Sequence, residues 1–485
     1  MAAAVLLMAA PVVWFQQPLY FFNPDIEYVK AKTLRVLAGS FFTDPVTGFP
    51  NFHPPWYHVI LSIPARLGIG LDTLLRYAAV QNVALILLFS WLILKRLFDR
   101  RTALCTALLV PFIFQHMGPG QIYLATAFYY SLPFYLAGLW LYLGPATTTK
   151  NLLTALLWGM AFLISPVYLF AVGFVFVYEL LVRRDLRRAG AMVSVFLATI
   201  TPFFVQAHSV YGPGLAGSSS FALWRGLPDS TWWMGFLSYL VSPVLGAPLT
   251  WPVPFAIAAG TIGMIGYFRR KKRLPFLYIA AAAFLFTAYH FSFTYASRIL
   301  YLVALLLTGC AVEYVWTMIP RRSMAILVLV AAILAGTADH YWRYLNLYQE
   351  QAKGFADYER ALAGLKANLG KYIDPAGYIL ATDLTYRMMI MPHVAVHGLL
   401  AYKTGEYFQL NPDISRRMQA DYNRLMGSDN TAVIDMLCDA YNITTAVAGE
   451  TSEMTLPVFR TIAETWTLVF HDEYFRIYVK PSRSS

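Results

Sequence analysis

Charge is what this sequence has least of. Asp, Glu, Lys and Arg together supply 13% of its 485 residues, about half the ~25% usual in a soluble domain, so composition excludes an ordinary water-soluble enzyme. Cysteine is scarce as well: Cys105 and Cys310 fall in apolar stretches and Cys438 in the polar C-terminal part. Three cysteines so placed supply neither a disulfide framework nor a zinc spacing. The chain has no glycine-rich phosphate loop of the nucleotide-binding kind. It also lacks the internal repeat that marks many transporters.

What the chain has instead is apolar sequence, 58% of all residues. Runs at 74–97, 121–143, 189–208 and 298–319 are each near the ~20 residues that cross a ~30 Å hydrocarbon layer. The expected class is a polytopic α-helical membrane protein. A formal charge of +11 raises the question of nucleic acid, but its distribution answers no. The basic groups Lys95-Arg96 with Arg100-Arg101, Arg183-Arg184 with Arg187-Arg188, 269–273 and Arg321-Arg322 lie in short loops between apolar runs. That is the positive-inside pattern, and it marks cytoplasmic loops.

With those loops on one side, the remaining crossings are expected at 1–22, 101–117, 151–164, 166–182, 250–268, 274–291 and 323–338. The total is about eleven spans, with the N-terminus cytoplasmic. Residues 1–22 are expected to be a retained first span, since no basic n-region or clear cleavage site marks a signal peptide. The run 151–182 is expected to break at Ser165-Pro166, because proline interrupts a helix. Residues 54–70 fit a short helix lying at the outer interface, with Trp56, Tyr57 and Arg66 as interfacial residues. The first 338 residues therefore read as one membrane domain. Residues 339–485 read as an extracytoplasmic linker helix followed by a small α/β domain, with helices near 414–426, 431–440 and 456–464. Its strands are expected at 378–382, 444–448, 466–470 and 474–479.

This topology gathers polar residues on the external side. Asp25, Glu27, His53 and His58 lie in the first loop. Gln81, Asn82, Gln115, His116, Gln206, His208, His290 and Arg298 lie at span ends. Such a set implies a hydrated external cavity. Arg298 stands at the mouth of a span, where a permanent charge with a planar donor fork suits a lipid phosphate. Asp25 and Glu27 follow directly after the first span, where partial desolvation raises a carboxylate toward the range of a general base. Two residues apart on a helix, they face different ways, so one base is expected and not a dyad.

These residues resemble the GT-C class of glycosyltransferases that use a lipid-phosphate sugar donor, in particular the protein O-mannosyltransferase and aminoarabinose-transferase-like group. The resemblance rests on Asp25 to Tyr28, His53-Pro54-Pro55-Trp56-Tyr57-His58, Asp72 to Arg76, Lys95-Arg96-Leu97-Phe98, the Arg298 segment and the final Arg476-Ile477-Tyr478 strand. It implies inverting sugar transfer from a polyprenyl-phosphate donor to a glycan, lipid or protein acceptor, with Asp25 or Glu27 as the carboxylate base. It further implies that Arg298, with His53 or His290, stabilises the departing phosphate, and that Tyr57, His58 and His116 lie on the substrate side. A divalent cation is used by some relatives; no metal ligands are assigned here. Two other classes fit the composition: a transporter or flippase of a lipid-linked glycan, and a non-catalytic subunit of cell-envelope assembly.

Overall fold

The computed structural model describes residues 25–42, 54–114, 127–211, 252–270, 274–290, 293–319, 321, 323–335, 338, 355–374, 377–382, 397–398, 412–449 and 453–481. The expected first span and the loops holding His53 and His116 lie outside them. Helices α1 (Asp25–Leu37) and α2 (Trp56–Arg66) come first, followed by α3 (Leu71–Leu97), α4 (Arg100–Phe114), α5 (Ala127–Tyr142) and α6 (Thr148–Ile164). Next are α7 (Leu169–Val177), α8 (Leu186–Tyr211), α9 (Pro252–Arg269), α10 (Pro275–His290) and α11 (Phe293–Met318). A shorter apolar helix, α12 (Ser323–Ala335), ends this series. The chain then forms α13 (Phe355–Tyr372), β1 (Tyr378–Leu380), β2 (His397–Gly398), α14 (Pro412–Met426) and α15 (Thr431–Ala440). It closes with β3 (Ile443–Gly449), α16 (Pro457–Thr465), β4 (Thr467–His471) and β5 (Phe475–Val479).

Two compact units result. One comprises Met1–Phe22, Ile69–Gln206 and Leu223–Leu347; the other comprises Asn23–Gly68, Ala207–Ala222 and Tyr348–Ser485. Besides the C-terminal residues, the second unit thus takes in the first loop.

The first unit is helical. Among the described residues, Leu71–Leu97, Pro166–Arg183, Leu186–Ser209 and Ile299–Met318 are long and apolar enough to cross a membrane. The run 151–182 does break at Ser165, whose φ of −159° and ψ of 132° leave the helix before a single 3-10 turn begins at Pro166. Helix α3 packs on α4 and α5, and α11 packs on α4, α9 and α10. Ser90 and Tyr301, both buried, share a 2.8 Å hydrogen bond that ties α3 to α11.

Several basic residues at helix ends tie neighbouring helices together. Arg96 donates to the Trp140 carbonyl and lies 4.8 Å over that ring. Arg188 donates to the Tyr142 carbonyl at 3.1 Å and lies 4.6 Å over its ring. Arg270 donates to the Leu97 carbonyl at 2.9 Å, pairs with Glu313 at 2.7 Å and lies 4.4 Å over Phe98. Each guanidinium thereby satisfies carbonyls that the last turn of a helix leaves without partners, and each adds a cation–π contact. Glu179 sits among them at 0% exposure, on a π-helical turn, Tyr178–Arg183. It accepts from the Tyr142 hydroxyl and lies 3.3 Å from both Arg183 and Arg188.

The second unit holds a five-stranded sheet in the order β2-β1-β3-β5-β4. Strand β1 runs parallel to β2 and β3, while β5 is antiparallel to β3 and to β4. Alternate residues face opposite sides of a strand. Leu380, Ala446, Ala448 and Tyr478 therefore pack with Met418, Ile434, Leu437 and Phe459 from α14, α15 and α16. Ile379, Val447, Phe475 and Ile477 pack on the other face with Leu365 and Leu369 of α13 and with Ala31 of α1. Asp472 closes the β4–β5 turn by accepting from the Tyr474 and Phe475 amides at 2.8 and 2.7 Å.

Arg188 is 7% exposed, whereas the Arg183 side chain is 47% exposed. Arg188→Met leaves the Glu179 carboxylate under-compensated and is expected to cost about 3–5 kcal/mol. Arg183→Met is expected to cost below about 1 kcal/mol. Thermal unfolding of the two detergent-purified variants checks the difference.

Candidate functional site

Helices α1 and α2 pack together as a hairpin. Proline at positions 54 and 55 is tolerated ahead of α2 because the first amides of a helix have no intrahelical acceptor. Gly68 ends α2 at φ 87°, the left-handed conformation that glycine adopts without strain, and its amide donates to the Ala65 carbonyl at 3.0 Å.

The hairpin buries polar groups. Thr33 is 0% exposed and His58 5%. The Thr33 hydroxyl donates to the Val29 carbonyl at 2.8 Å, one turn back. With its single proton used there, Thr33 Oγ1 accepts at its 3.3 Å contact with His58 Nδ1. His58 accordingly carries its proton on Nδ1 when neutral. The ring of Tyr57, itself 0% exposed, lies 5.4 Å from that of His58. Lys32 is 0% exposed. An ammonium buried so deeply requires compensation.

Asp25 is the first residue of α1 and Glu27 the third. At 3.6 residues per turn, position 25 shares a stripe with Val29, Lys32 and Val36. Those residues are 5%, 0% and 1% exposed. Position 27 falls on the stripe of Ala31 and Leu34, which are 4% and 42% exposed. The two acids thus occupy unlike faces, as their spacing requires.

In the other unit, His290 is the last residue of α10 and Arg298 lies in the second turn of α11. Position 298 shares its stripe with Tyr301, Leu302 and Leu305, which are 5%, 3% and 1% exposed. An apolar cleft opens along that stripe between α3, α5, α10 and α11, lined by Ile93, Leu139, Ile279, Leu302 and Leu305 among others. Of the remaining span-end residues, Gln81, Gln206 and His208 are exposed. Asn82 is fully buried, and neither of its amide atoms has a hydrogen-bond partner among the described residues. Among the described residues, no group of three or more His, Cys, Asp and Glu side chains is placed to hold a metal ion.

Three buried charges escaped the sequence reading: Lys32, Glu179 and Glu453. For Glu179 the signal was available, a lone acid in the apolar run 169–182. Lys32 could be found only by following the Asp25 stripe through the next two turns.

The chain shares its fold with several solved structures. It is similar to ArnT from Cupriavidus metallidurans bound to undecaprenyl phosphate, at TM-score 0.63 and 13% identity over 99% of this chain and 97% of that one. The apo state of the same enzyme aligns at TM-score 0.60 and 16% identity, covering 94% and 93% of the two chains. The Archaeoglobus fulgidus oligosaccharyltransferase in complex with Zn and sulfate aligns at TM-score 0.56 and 13% identity, over 92% of this chain and 67% of that one. The same archaeal enzyme, AglB, in complex with an inhibitory peptide and a dolichol-phosphate aligns at TM-score 0.54 and 12% identity, with 92% and 69% covered. No protein-family model and no curated protein sequence matches the chain.

Thr33→Val removes both bonds of the Thr33 hydroxyl and leaves His58 Nδ1–H without that acceptor. The expected cost is about 1–3 kcal/mol. It should appear as faster amide exchange across Asp25–Leu37, while exchange in Thr431–Ala440 stays unchanged.

Proposed function

We propose that the protein is an integral membrane glycosyltransferase that moves a sugar from a polyprenyl-phosphate donor to an acceptor hydroxyl with inversion at the anomeric carbon. The observation that carries this reading is end-to-end similarity of fold to an enzyme bound to undecaprenyl phosphate, covering 99% of one chain and 97% of the other. The aminoarabinose-transferase resemblance noted in the sequence points the same way.

In this mechanism Asp25 is the base. It takes the proton of the acceptor hydroxyl as that oxygen attacks the anomeric carbon, and the bond to the phosphate oxygen breaks on the opposite face. The transition state has oxocarbenium character, so the protein contributes chiefly position and charge. Asp25 is preferred to Glu27 because its stripe stays buried through Val29, Lys32 and Val36, whereas that of position 27 passes from buried Ala31 to exposed Leu34, and desolvation keeps a carboxylate basic. Arg298 meets the negative charge that gathers on the leaving phosphate. His53, His116 and His290 remain candidates for the same charge, and His58 supports α1 through Thr33. The donor's lipid-phosphate bond supplies the leaving group, so no nucleotide site is needed.

The basic loops are assigned to the cytoplasm and the C-terminal unit to the extracytoplasmic side. Cys310 and Cys438 should stay quiet in a labelling experiment because both are buried, and burial pushes the Cys438 thiol up to about 12; half-buried Cys105 is replaced by serine. Single cysteines at positions 183 and 383 should react with an impermeant maleimide from opposite sides of the membrane. Labelling of both from one side overturns the orientation.

Asp25→Asn should lower sugar transfer from a polyprenyl-phosphate donor by about 10²–10⁴-fold, with donor affinity kept, whereas Glu27→Gln should fall far less. Transfer by Asp25→Asn at the wild-type rate refutes the assignment. Arg298→Ala should weaken donor use more than acceptor use, read as a rise in the apparent KM for the lipid donor alone.

A further inference from the structure

Sugar transfer by Asp25 makes no use of the apolar cleft in the helical unit. The cleft runs between α3, α5, α10 and α11, and every residue lining it is apolar or aromatic. Along α5 its wall passes from Tyr135 to Leu143, a length of about 12 Å at 1.5 Å per residue. Ile93, Tyr135, Ile279 and Leu302 are 9% exposed or less. Leu97, Leu143 and Phe276 are half-buried instead. These three stand together: Arg270 binds the Leu97 carbonyl, and Phe276 meets Tyr142, next to Leu143, edge-on at 5.5 Å. The cleft is thus closed at the end nearer position 298 and opens at the other.

Guanidinium groups flank that mouth. Arg188 and Arg270 reach the Tyr142 and Leu97 carbonyls, and each is paired with an acid, Glu179 at 3.3 Å and Glu313 at 2.7 Å. Arg96 differs. It donates to the Trp140 carbonyl, and a Cβ on Gly144 would collide with its guanidinium, so it lies across the last turn of α5 beside Leu143. Among the described residues, no carboxylate pairs with it. Arg96 is half-buried, and a cation drawn out of water calls for a counter-charge. The Trp140 carbonyl occupies one of its five donors.

We propose that Arg96 and the cleft behind it form a site for an anionic phospholipid, its phosphate on the guanidinium and the first part of one acyl chain in the cleft. Charge selects the headgroup. A planar donor fork matches phosphate oxygens, and basic pockets between membrane helices bind anionic headgroups. Width selects the chain. The cleft is narrow; an acyl chain is unbranched, whereas a polyprenyl chain carries a methyl branch on every unit. Position 298 lies beyond the closed end, so this lipid is distinct from a donor whose phosphate meets Arg298. The site does not depend on the sugar-transfer reading.

The test is native mass spectrometry of the full chain in detergent, titrated with phosphatidylglycerol and phosphatidylcholine of matched acyl chains. Phosphatidylglycerol should bind about tenfold more tightly, the scale of one charge-assisted hydrogen bond. Arg96→Gln should remove that preference, while Arg100→Gln, a change at an exposed cation, should keep it. Ala280→Leu fills the cleft and should weaken both lipids alike. A melting curve for each variant excludes unfolding as the cause, and the headgroup comparison on the unaltered chain stands even where Arg96→Gln fails to fold. Equal binding of the two headgroups, an unchanged preference in Arg96→Gln, or full binding by Ala280→Leu overturns the site. Displacement of phosphatidylglycerol from Arg298→Ala by undecaprenyl phosphate also overturns it, by making the occupant a polyprenyl lipid.

Discussion

The docking of α1 on the sheet of the second unit is the contact from which the candidate site takes its form. Ala31 enters the apolar layer with Leu365, Val447, Phe475 and Ile477. That one face sets the rotation of the helix about its axis. Rotation in turn decides which residues line the buried stripe: Val29, Lys32 and Val36, with position 25 at its head. A 13-residue helix would have little stability in water by itself. Packing supplies what local propensity cannot, and the hairpin bond from His58 to Thr33 adds a second constraint.

The helical unit meets a different requirement. Carbonyls at the ends of spans need donors, and charges in apolar surroundings need counter-charges. One residue type answers both. Arg96, Arg188 and Arg270 reach from their own segments to the last turns of α5 and α3. Positive charge in these loops therefore joins helix to helix. Lysine would serve poorly, because only the planar guanidinium can donate to a carbonyl, pair with an acid and stack on a ring together.

Much of this was legible beforehand where a period was strong. Thr431–Ala440 and the β4–β5 hairpin match their expected positions to within a residue, since alternation and capping signals are local. The break at Ser165-Pro166 was equally clear because proline removes a donor wherever it stands. Strand β2 was missed: two residues carry no period. The association of residues 23–68 with the C-terminal residues was also invisible. Nothing in Tyr28 or Ala31 announces a partner more than three hundred positions away. Buried charges were hidden for a related reason. A lysine looks solvated until its helix is known to be covered on that side, as at Lys32.

The distance in sequence between α1 and its sheet has a consequence for how the protein is made. Ala31 leaves the ribosome well before Ile379, Val447 and Ile477 of the same layer. At ~5–20 residues per second, α1 waits roughly 20–90 s for its sheet. During that interval its apolar face has no cover, and the intervening membrane segments must all be inserted before it can be buried. Assembly of this layer is thus a late event in synthesis, and a chain stopped short of β3 would carry the Asp25 helix without the surface that orients it. Premature termination near the C-terminus should accordingly be as damaging as a lesion in the first loop.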